Sequence, residues 1–461
     1  MSQSYQPPAN GFRTFLIVWV TQSVSLFGSA LTFFAINIWL TQTLYPNPDQ
    51  KPMLAAALSA TGLVWTLANV IFAPIAGAWA DRHDRKRTMM LMDFLNGCLS
   101  VFLAFLIFTG SLQLWILLIG MTINAITAAF HYSAFDTSYV MIVPEKRLPR
   151  ANGMMQTMYS LSNILSPALA ATLIAIPALL RQGGSTGAIG SLVAGLSDGT
   201  VLAISVDAVT FFIASATLLF LTIPSPRHVE TKDAKGAKKT NLWADVKEGA
   251  LYIWQRRPLL WLLGTFTIAN LVGSMLVLQP MIIKFNLAAD WSARGFSLES
   301  ALALLTSVGG VGGVMGGILI SGWGGLKHKR VYGVIVPLIV SGLAMAVFGF
   351  SPWLYLSAAA AALFEGMIPF MNAHSQTIWQ IQTPRELQGR VFAVRRLIAQ
   401  CSAPLGTVLA GVFGGLFNPG VVIAIMGIIM AVFCLAQLVN PYLLKVEDKA
   451  YLDGLAVRAA D

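Results

Sequence analysis

The sequence predicts an all-α membrane protein of about twelve spanning helices arranged as two six-helix pseudo-repeats, and three observations predict it. Only 11% of the 461 residues are Asp, Glu, Lys or Arg while 56% are hydrophobic, whereas soluble domains carry about 25% charge. Apolar stretches of about 20 residues or more, each long enough to cross roughly 30 Å of hydrocarbon, follow one another along most of the chain. The two halves also match when overlaid at an offset of about 240 residues, with Gly77 on Gly317, Phe130 on Phe370 and Pro144 on Pro384. So few charges cannot coat a water-soluble surface, and in a bilayer helices satisfy their own backbone groups.

Hydropathy, punctuated by Gly, Pro and charge clusters, places spans near 13–40, 53–80, 88–109, 112–140, 151–179 and 200–222. A second set lies near 259–284, 299–321, 331–350, 353–380, 391–416 and 420–444. The polar start from Met1 to Gly11 precedes a long apolar run without a small-residue cleavage site. The first span is therefore expected to be retained and not removed as a signal peptide. An even number of spans returns both termini to one side. Of the 30 Lys and Arg, only Lys51, Arg181, Lys284 and Arg294 fall in the opposite loops, leaving 26 on the terminus side. The positive-inside rule then places both termini in the cytoplasm of a multi-pass inner-membrane protein. That placement accounts for the net charge of +10 without a nucleic-acid partner.

The polar stretch from Pro224 to Pro258 divides the chain into an N-terminal bundle over 1–222, a cytoplasmic linker over 223–258 and a C-terminal bundle with its tail over 259–461. Lys232, Lys235, Lys238 and Lys239 among Gly and Ala read as flexible. Asn241 reads as the cap of a short helix running through Arg257 and ended by Pro258. Leu242, Val246, Ala250 and Ile253 share a face, so this helix either lies on the inner membrane surface or serves as a solvated tether. Cys98, Cys401 and Cys434 sit in apolar segments without metal-ligand spacing and read as small packing residues. Neither a disulfide nor a cofactor is expected.

The segment from Gly77 to Arg87, Gly-Ala-Trp-Ala-Asp-Arg-His-Asp-Arg-Lys-Arg, concentrates opposite charges in the short turn between the second and third spans. Gly77 allows close helix approach, Asp81 can accept from a helix N-terminus or an arginine, and Arg82, Arg85, Lys86 and Arg87 keep the turn cytoplasmic. Such a knot can hold helix ends together in one state and release them in another. In these residues the chain resembles the major facilitator superfamily, with a weaker repeat at Gly317 to Arg330. The stretches Ala80 to Lys86, Ala129-Phe130-His131, Asn163 to Ala168 and Leu387 to Phe392 further resemble the macrolide-efflux branch of drug:proton antiporters, itself similar to siderophore exporters. The resemblance implies alternating access and proton-coupled antiport of lipophilic drugs or secondary metabolites by a monomer, and hence drug resistance. A siderophore or peptide-metabolite exporter is the alternative, and a non-transporting receptor or scaffold the rival from another class. Asn124 stands in the fourth span where many drug antiporters carry an arginine implicated in proton movement, and Ser162 to Ala171 give a small-residue version of the Gly-rich fifth helix of antiporters.

Ionisable residues deep in apolar spans are functional candidates. Glu365 lies near the middle of the tenth span and heads a helical face with Pro369, Asn372, Gln376 and Trp379. It reads either as a site for a proton or a cationic substrate, or as a neutral, hydrogen-bonded structural carboxyl. Asp93, Asp136 and Asp207 read as structural pairing residues, with Asp93 near enough to Asp81 to share its charges. His131 reads as a neutral buried histidine or a titrating one, and His374 lies off the Glu365 face. The first span places Gln22, Ser25, Ser29 and Thr32 on one side, and the seventh places Thr267, Asn270 and Ser274. By resemblance the first, fourth, seventh and tenth spans line a cavity, so Gln22, Ser25, Asn124, His131, Asn270, Ser274, Asn372 and Gln376 are candidate contacts for a small amphiphile, or else polar glue between helices. Gly309, Gly313 and Gly317 read as a packing face. No Gly-Lys-Ser/Thr phosphate loop and no His-Glu-x-x-His occur, so the expectation is a transporter and not an enzyme.

Overall fold

The computed structural model describes residues 10–80, 82–144, 147–183, 187–196, 199–223, 242–384 and 387–458. Among them, twelve helices are long and apolar enough to cross a membrane. They are α1 (Gly11–Ile38), α2 (Lys51–Ala80), α3 (Arg85–Phe108), α4 (Leu114–Ile142), α5 (Leu148–Gly183), α6 (Thr200–Leu219), α7 (Arg257–Ser274), α8 (Leu298–Trp323), α9 (Tyr332–Phe350), α10 (Leu354–Gln382), α11 (Gln388–Leu416) and α12 (Pro419–Gln437). All twelve spans read from hydropathy are present.

Three element ends differ from the sequence reading, each for a local reason. The last span stops at Gln437 and not near 444, because Pro441 has no N–H to continue it and Asn440 Oδ1 accepts instead from the N–H groups of Tyr442 and Leu443. The seventh span is not one continuous α-helix. It tightens to a 3₁₀ turn over Met275–Leu278 and restarts at Gln279–Phe285, with Pro280 in the new first turn. The linker helix runs over Leu242–Gln255 and ends before Arg257, while Pro258 opens α7 and does not terminate its predecessor. Asn241, read as its cap, lies outside the described residues.

The chain divides into two compact units. One comprises Met1–Gln50, Ala60–Val229 and Phe296–Ser307, the other Lys51–Ser59, Glu230–Gly295 and Val308–Asp461. In the first, Gly28 of α1 lets α6 approach so closely that a Cβ there would sit 2.9 Å from Asp207 Oδ1. Ser166 of α5 donates to the Phe27 carbonyl of α1 at 3.2 Å, and Ser215 of α6 to the Met90 carbonyl of α3 at 2.9 Å. In the second unit, backbone meets backbone at glycine. Gly342 and Gly349 of α9 lie on Gly427 and Gly420 of α12, and Gly406 of α11 lies on the Leu271 carbonyl of α7. Without water to drive apolar association, such close approach supplies the contact area that holds spans together.

The packing face of α8 is not the one read from sequence. Gly312 and Gly316 press on the carbonyls of Ala362 and Gly366 of α10, whereas Gly317 has nothing within 4 Å and Gly309 and Gly313 stand beside Glu365. Two glycine rows three residues apart share one side of a helix, and spacing alone does not say which row meets the neighbour. Of the three cysteines only Cys434 is buried; Cys98 and Cys401 are exposed and so are not interior packing residues.

At the opposite end of α10, Asp290 fixes its start. Its carboxylate accepts from Arg294 Nε at 2.9 Å and Nη2 at 3.0 Å, and from the Leu354 N–H at 2.8 Å. The Arg294 hydrogen bonds, then that of Leu354, hold its carboxyl below the usual carboxylate range.

Two predictions follow from these contacts. Gly312→Val should drive a branched side chain into the Ala362 carbonyl and cost about 1–3 kcal/mol or more, seen as a lower Tm of the detergent-solubilised protein, while Gly317→Ala leaves Tm unchanged. Equal losses in the two variants would refute the assignment of the packing row. Because the folded Asp290 carboxyl is depressed, its contribution is complete above the ordinary value of about 3.9 and is lost only as pH falls through the lower folded value. The Tm deficit of Asp290→Ala should therefore be the same at pH 7 and at about pH 5.5; a deficit that shrinks over that interval contradicts the depression.

Candidate functional site

Inside the first unit, residues of α1, α2, α3, α4, α5 and α6 line a small, mostly apolar cavity that carries a few polar groups among aromatic rings. Gln22, Ser25, Asn124 and His131, four of the residues singled out from sequence, line it, together with Asp93 and Asn96 of α3 and the rings of Trp65, Tyr132, Phe135 and Phe211. Asp93 is 1% exposed. Its Oδ2 accepts from Gln22 Nε2 at 3.0 Å, and its Oδ1 lies 3.2 Å from His131 Nε2, within ion-pair reach though off the line of a good hydrogen bond. Among the described residues Asp93 therefore reaches across to α1 and α4; Asp81, near which the sequence had placed it, lies outside them. One helical turn along, Asn96 Oδ1 accepts from Asn124 Nδ2 at 3.2 Å and Thr127 Oγ1 at 2.5 Å.

Asp207 of α6 forms a separate node. Its carboxylate accepts from Thr32 at 2.8 Å, Ser100 at 3.1 Å and Ser29 at 3.3 Å, so donors from α1 and α3 meet it within hydrocarbon. Ser29 and Thr32, read as a cavity face, are thus partly spent on this carboxylate.

The turn between α2 and α3 is tied down by its basic residues. Arg85, nearly buried, donates from Nε to the Ala80 carbonyl at 3.0 Å and from Nη1 to the Thr137 carbonyl of α4 at 3.1 Å. Lys86 Nζ donates to the Leu219 carbonyl at the end of α6 at 3.1 Å. Asp84 caps α3 through the Arg87 N–H at 3.0 Å and Arg87 returns to it at 3.8 Å. Arg82 is exposed. Gly77 does not mark a close approach, since its nearest neighbour is Ser133 Oγ at 4.0 Å, and Asp81 lies outside the described residues. In the second unit the corresponding turn is held by an uncharged group. His374 Nε2 accepts from the Leu326 N–H at 2.8 Å while Nδ1 donates to Phe370 O at 2.7 Å, which fixes the neutral tautomer. Gly324 and Gly325, at φ +78° and +73°, supply the left-handed backbone beside it.

The polar face of α10 is less uniform than its spacing suggests. Glu365 is half-buried beside Gly309 and Gly313, and no hydrogen bond or ion pair reaches its carboxylate among the described residues. Asn372 is exposed, Gln376 Oε1 accepts from Arg395 Nη1 at 2.8 Å, and Trp379 is fully buried. The face therefore runs from exposed Asn372 to fully buried Trp379. Asn270 of α7 donates to the Ala399 carbonyl of α11 at 2.9 Å and Ser274 to its own helix at 2.8 Å. Sequence reading missed Asn96 and Arg395. Asn96 follows Asp93 by three residues on one helical face, a legible signal. Arg395 was counted as a cytoplasmic anchor, yet it folds back onto Gln376, Ser375 at 3.2 Å and the Trp379 ring at 5.2 Å.

Twelve spans with polar groups gathered inside them define a membrane transporter that handles a small molecule within the bilayer. The family model of the Major Facilitator Superfamily matches residues 18–404, and the chain belongs to that superfamily. It is 26% identical over 403 residues to Macrolide efflux protein A of Streptococcus pyogenes, covering 87% of this chain and 89% of that one. It is 25% identical over 370 residues to Multidrug efflux pump Tap of Mycolicibacterium fortuitum, covering 77% and 79%. The crystal structure of a bacterial homolog to the human lysosomal transporter Spinster shares its fold with a TM-score of 0.63 at 16% identity, over 99% of this chain and 96% of that one.

Proposed function

We propose that this chain exports small lipophilic amphiphiles, drugs or secondary metabolites, from the cytoplasm by alternating access, driven by inward proton flow. The observation that carries the reading is the cavity of the first unit, where amides and hydroxyls stand among Trp65, Tyr132, Phe135 and Phe211. Uncharged donors beside aromatic faces suit an amphiphile better than a phosphate or a sugar acid. The efflux proteins similar to it over most of its length support the direction of transport. In this reading the bundles at 1–222 and 259–461 are the moving bodies and 223–258 their cytoplasmic tether. Gly77, Asp81, Arg82, Arg85, Lys86 and Arg87 form the switch that breaks and remakes helix-end contacts. Glu365, which no hydrogen bond or ion pair reaches among the described residues, holds a proton or the cation of a substrate.

Inverted vesicles given a pH gradient should accumulate labelled erythromycin, and nigericin should abolish the accumulation. Glu365→Gln should remove gradient-driven uptake while sparing binding if Glu365 is a proton site, or weaken binding of cationic compounds alone if it is a substrate site. Wild-type rate and pH dependence in that variant would make Glu365 structural.

The distribution of Lys and Arg makes the linker cytoplasmic. A single cysteine at Lys235, in a chain otherwise free of cysteine, should react with an impermeant maleimide only after the cells are opened; labelling of intact cells would reverse the topology.

A further inference from the structure

Four arginines of the second unit meet carboxylates: Arg256 at Asp453, Arg294 at Asp290, Arg330 at Glu447 and Arg390 at Glu248. Arg395 meets none among the described residues, although it stands two turns inside α11. Its partners are all neutral. Nη1 donates to Gln376 Oε1 at 2.8 Å, Nη2 donates to Ser375 Oγ at 3.2 Å, and the guanidinium carbon lies 5.2 Å from the centre of the Trp379 ring. Glu365, on the same helix as Gln376, is three turns away from it, about 16 Å along the axis.

Donors around this guanidinium outnumber acceptors. Arg395 Nε has no acceptor among the described residues. The Gln376 amide, turned to present Oε1 to Arg395, leaves its Nε2 without one, and the buried Trp379 Nε1 likewise finds none. Arg396, next along the chain, is exposed and adds a second positive charge. Arg395 and Gln376 are half-buried and Asn372, one turn away, is exposed, so a ligand can reach the guanidinium from the surface of the unit. A cation among spare N–H groups is stabilised by an anion that accepts from them.

We infer that Arg395, with Gln376 beside it, binds the carboxylate of an anionic amphiphile, and that such acids are among the substrates. The substrate role rests on the export reading. A guanidinium presents a planar fork that matches the two oxygens of a carboxylate. Ser375 and Gln376 hold the Nη groups and Trp379 supports the plane, so the open edge is set before the ligand arrives. The same charges turn an ammonium group away. The site thus discriminates by sign against the cations that Glu365 would hold, and the two ends of the α10 face select opposite head groups.

The test compares naproxen, a carboxylic acid ionised at about pH 7.5, with its neutral methyl ester. Binding to full-length protein in phosphatidylcholine nanodiscs is read by equilibrium dialysis, with empty nanodiscs subtracted. The acid should bind about tenfold or more tightly than the ester. Arg395→Gln should bring the two together, and Arg395→Lys, which keeps the charge without the fork, should retain part of the preference. A merely structural tie between α10 and α11 would not produce that order. Equal binding of acid and ester by the wild type, or an undiminished preference in Arg395→Gln, overturns the site. Should Arg395→Gln not fold, an undiminished preference in Arg395→Lys overturns it equally. Phosphatidylglycerol in the nanodiscs should leave the preference standing; its loss there would give the guanidinium to a lipid headgroup and overturn the inference. An acid preference that depends on Arg395, in a protein whose vesicles accumulate no erythromycin, would leave the site standing and sink the export reading. Erythromycin uptake by a protein that binds acid and ester alike would do the reverse.

Discussion

A carboxylate placed inside hydrocarbon has no water to turn to, so each one dictates which helices must stand beside it. Asp207 shows the constraint most plainly: it needs Ser29 and Thr32 from α1 and Ser100 from α3, and Gly28 is what permits α1 to come near enough to supply them. A larger residue at 28 would hold the helices apart and strand the charge. The first unit is accordingly cross-linked by side chains, with further contacts among Gln22, Asp93 and His131 and among Asn96, Asn124 and Thr127 at the cavity.

The two halves solve the same problem at the turns that follow α2 and α8 with different chemistry. The first uses a buried guanidinium, Arg85, to satisfy carbonyls at the ends of α2 and α4. The second uses a neutral imidazole, His374, reaching from α10 to the backbone of the turn, with two glycines in the left-handed region. Further hydrogen bonds tie the second turn and its neighbours to the tail and the linker helix. Arg330 meets Glu447 at 3.2 Å, Gln382 donates to the Glu447 carbonyl at 3.0 Å, Arg390 pairs with Glu248, and Arg256 lies over the Tyr252 ring and reaches Asp453 at 3.5 Å. Exposed pairs of this kind are worth about 0–1 kcal/mol each, so together they position the linker helix more than they stabilise it.

Span number and span type were legible because hydropathy reports burial directly. Gln22, Ser25, Asn124 and His131, candidates by family resemblance, line a cavity within the first unit. What sequence could not supply is the partner. Position along the chain placed Asp93 near Asp81 and did not reveal Gln22 and His131, which helix rotation brings to it. Arg395 was counted by its position near a helix start, although its long stem lets the guanidinium return to Gln376 and Ser375. The Gly312 and Gly316 row was missed for a similar reason, since rotation about the α8 axis is fixed by the neighbour and not by the spacing itself. At the linker helix the error came from reading Pro258 as a terminator where it opens α7, and at α12 from running the span on through Pro441.

The two units also differ in what their helices must break in order to move. In the first, sliding α1 against α3 or α6 would exchange directed hydrogen bonds at Asp93 and Asp207, and each of those left unmade inside hydrocarbon costs several kcal/mol, roughly. In the second, α8 meets α10 through Gly312 and Gly316, and α9 meets α12 through Gly342, Gly349, Gly420 and Gly427. A glycine face carries no side-chain bond, so a shift along it trades one van der Waals contact for another of similar depth. Glu365 lies beside that smoother surface, next to Gly309 and Gly313, so the carboxylate of the second unit stands where helix faces meet without side-chain bonds, whereas Asp93 and Asp207 of the first stand inside directed ones.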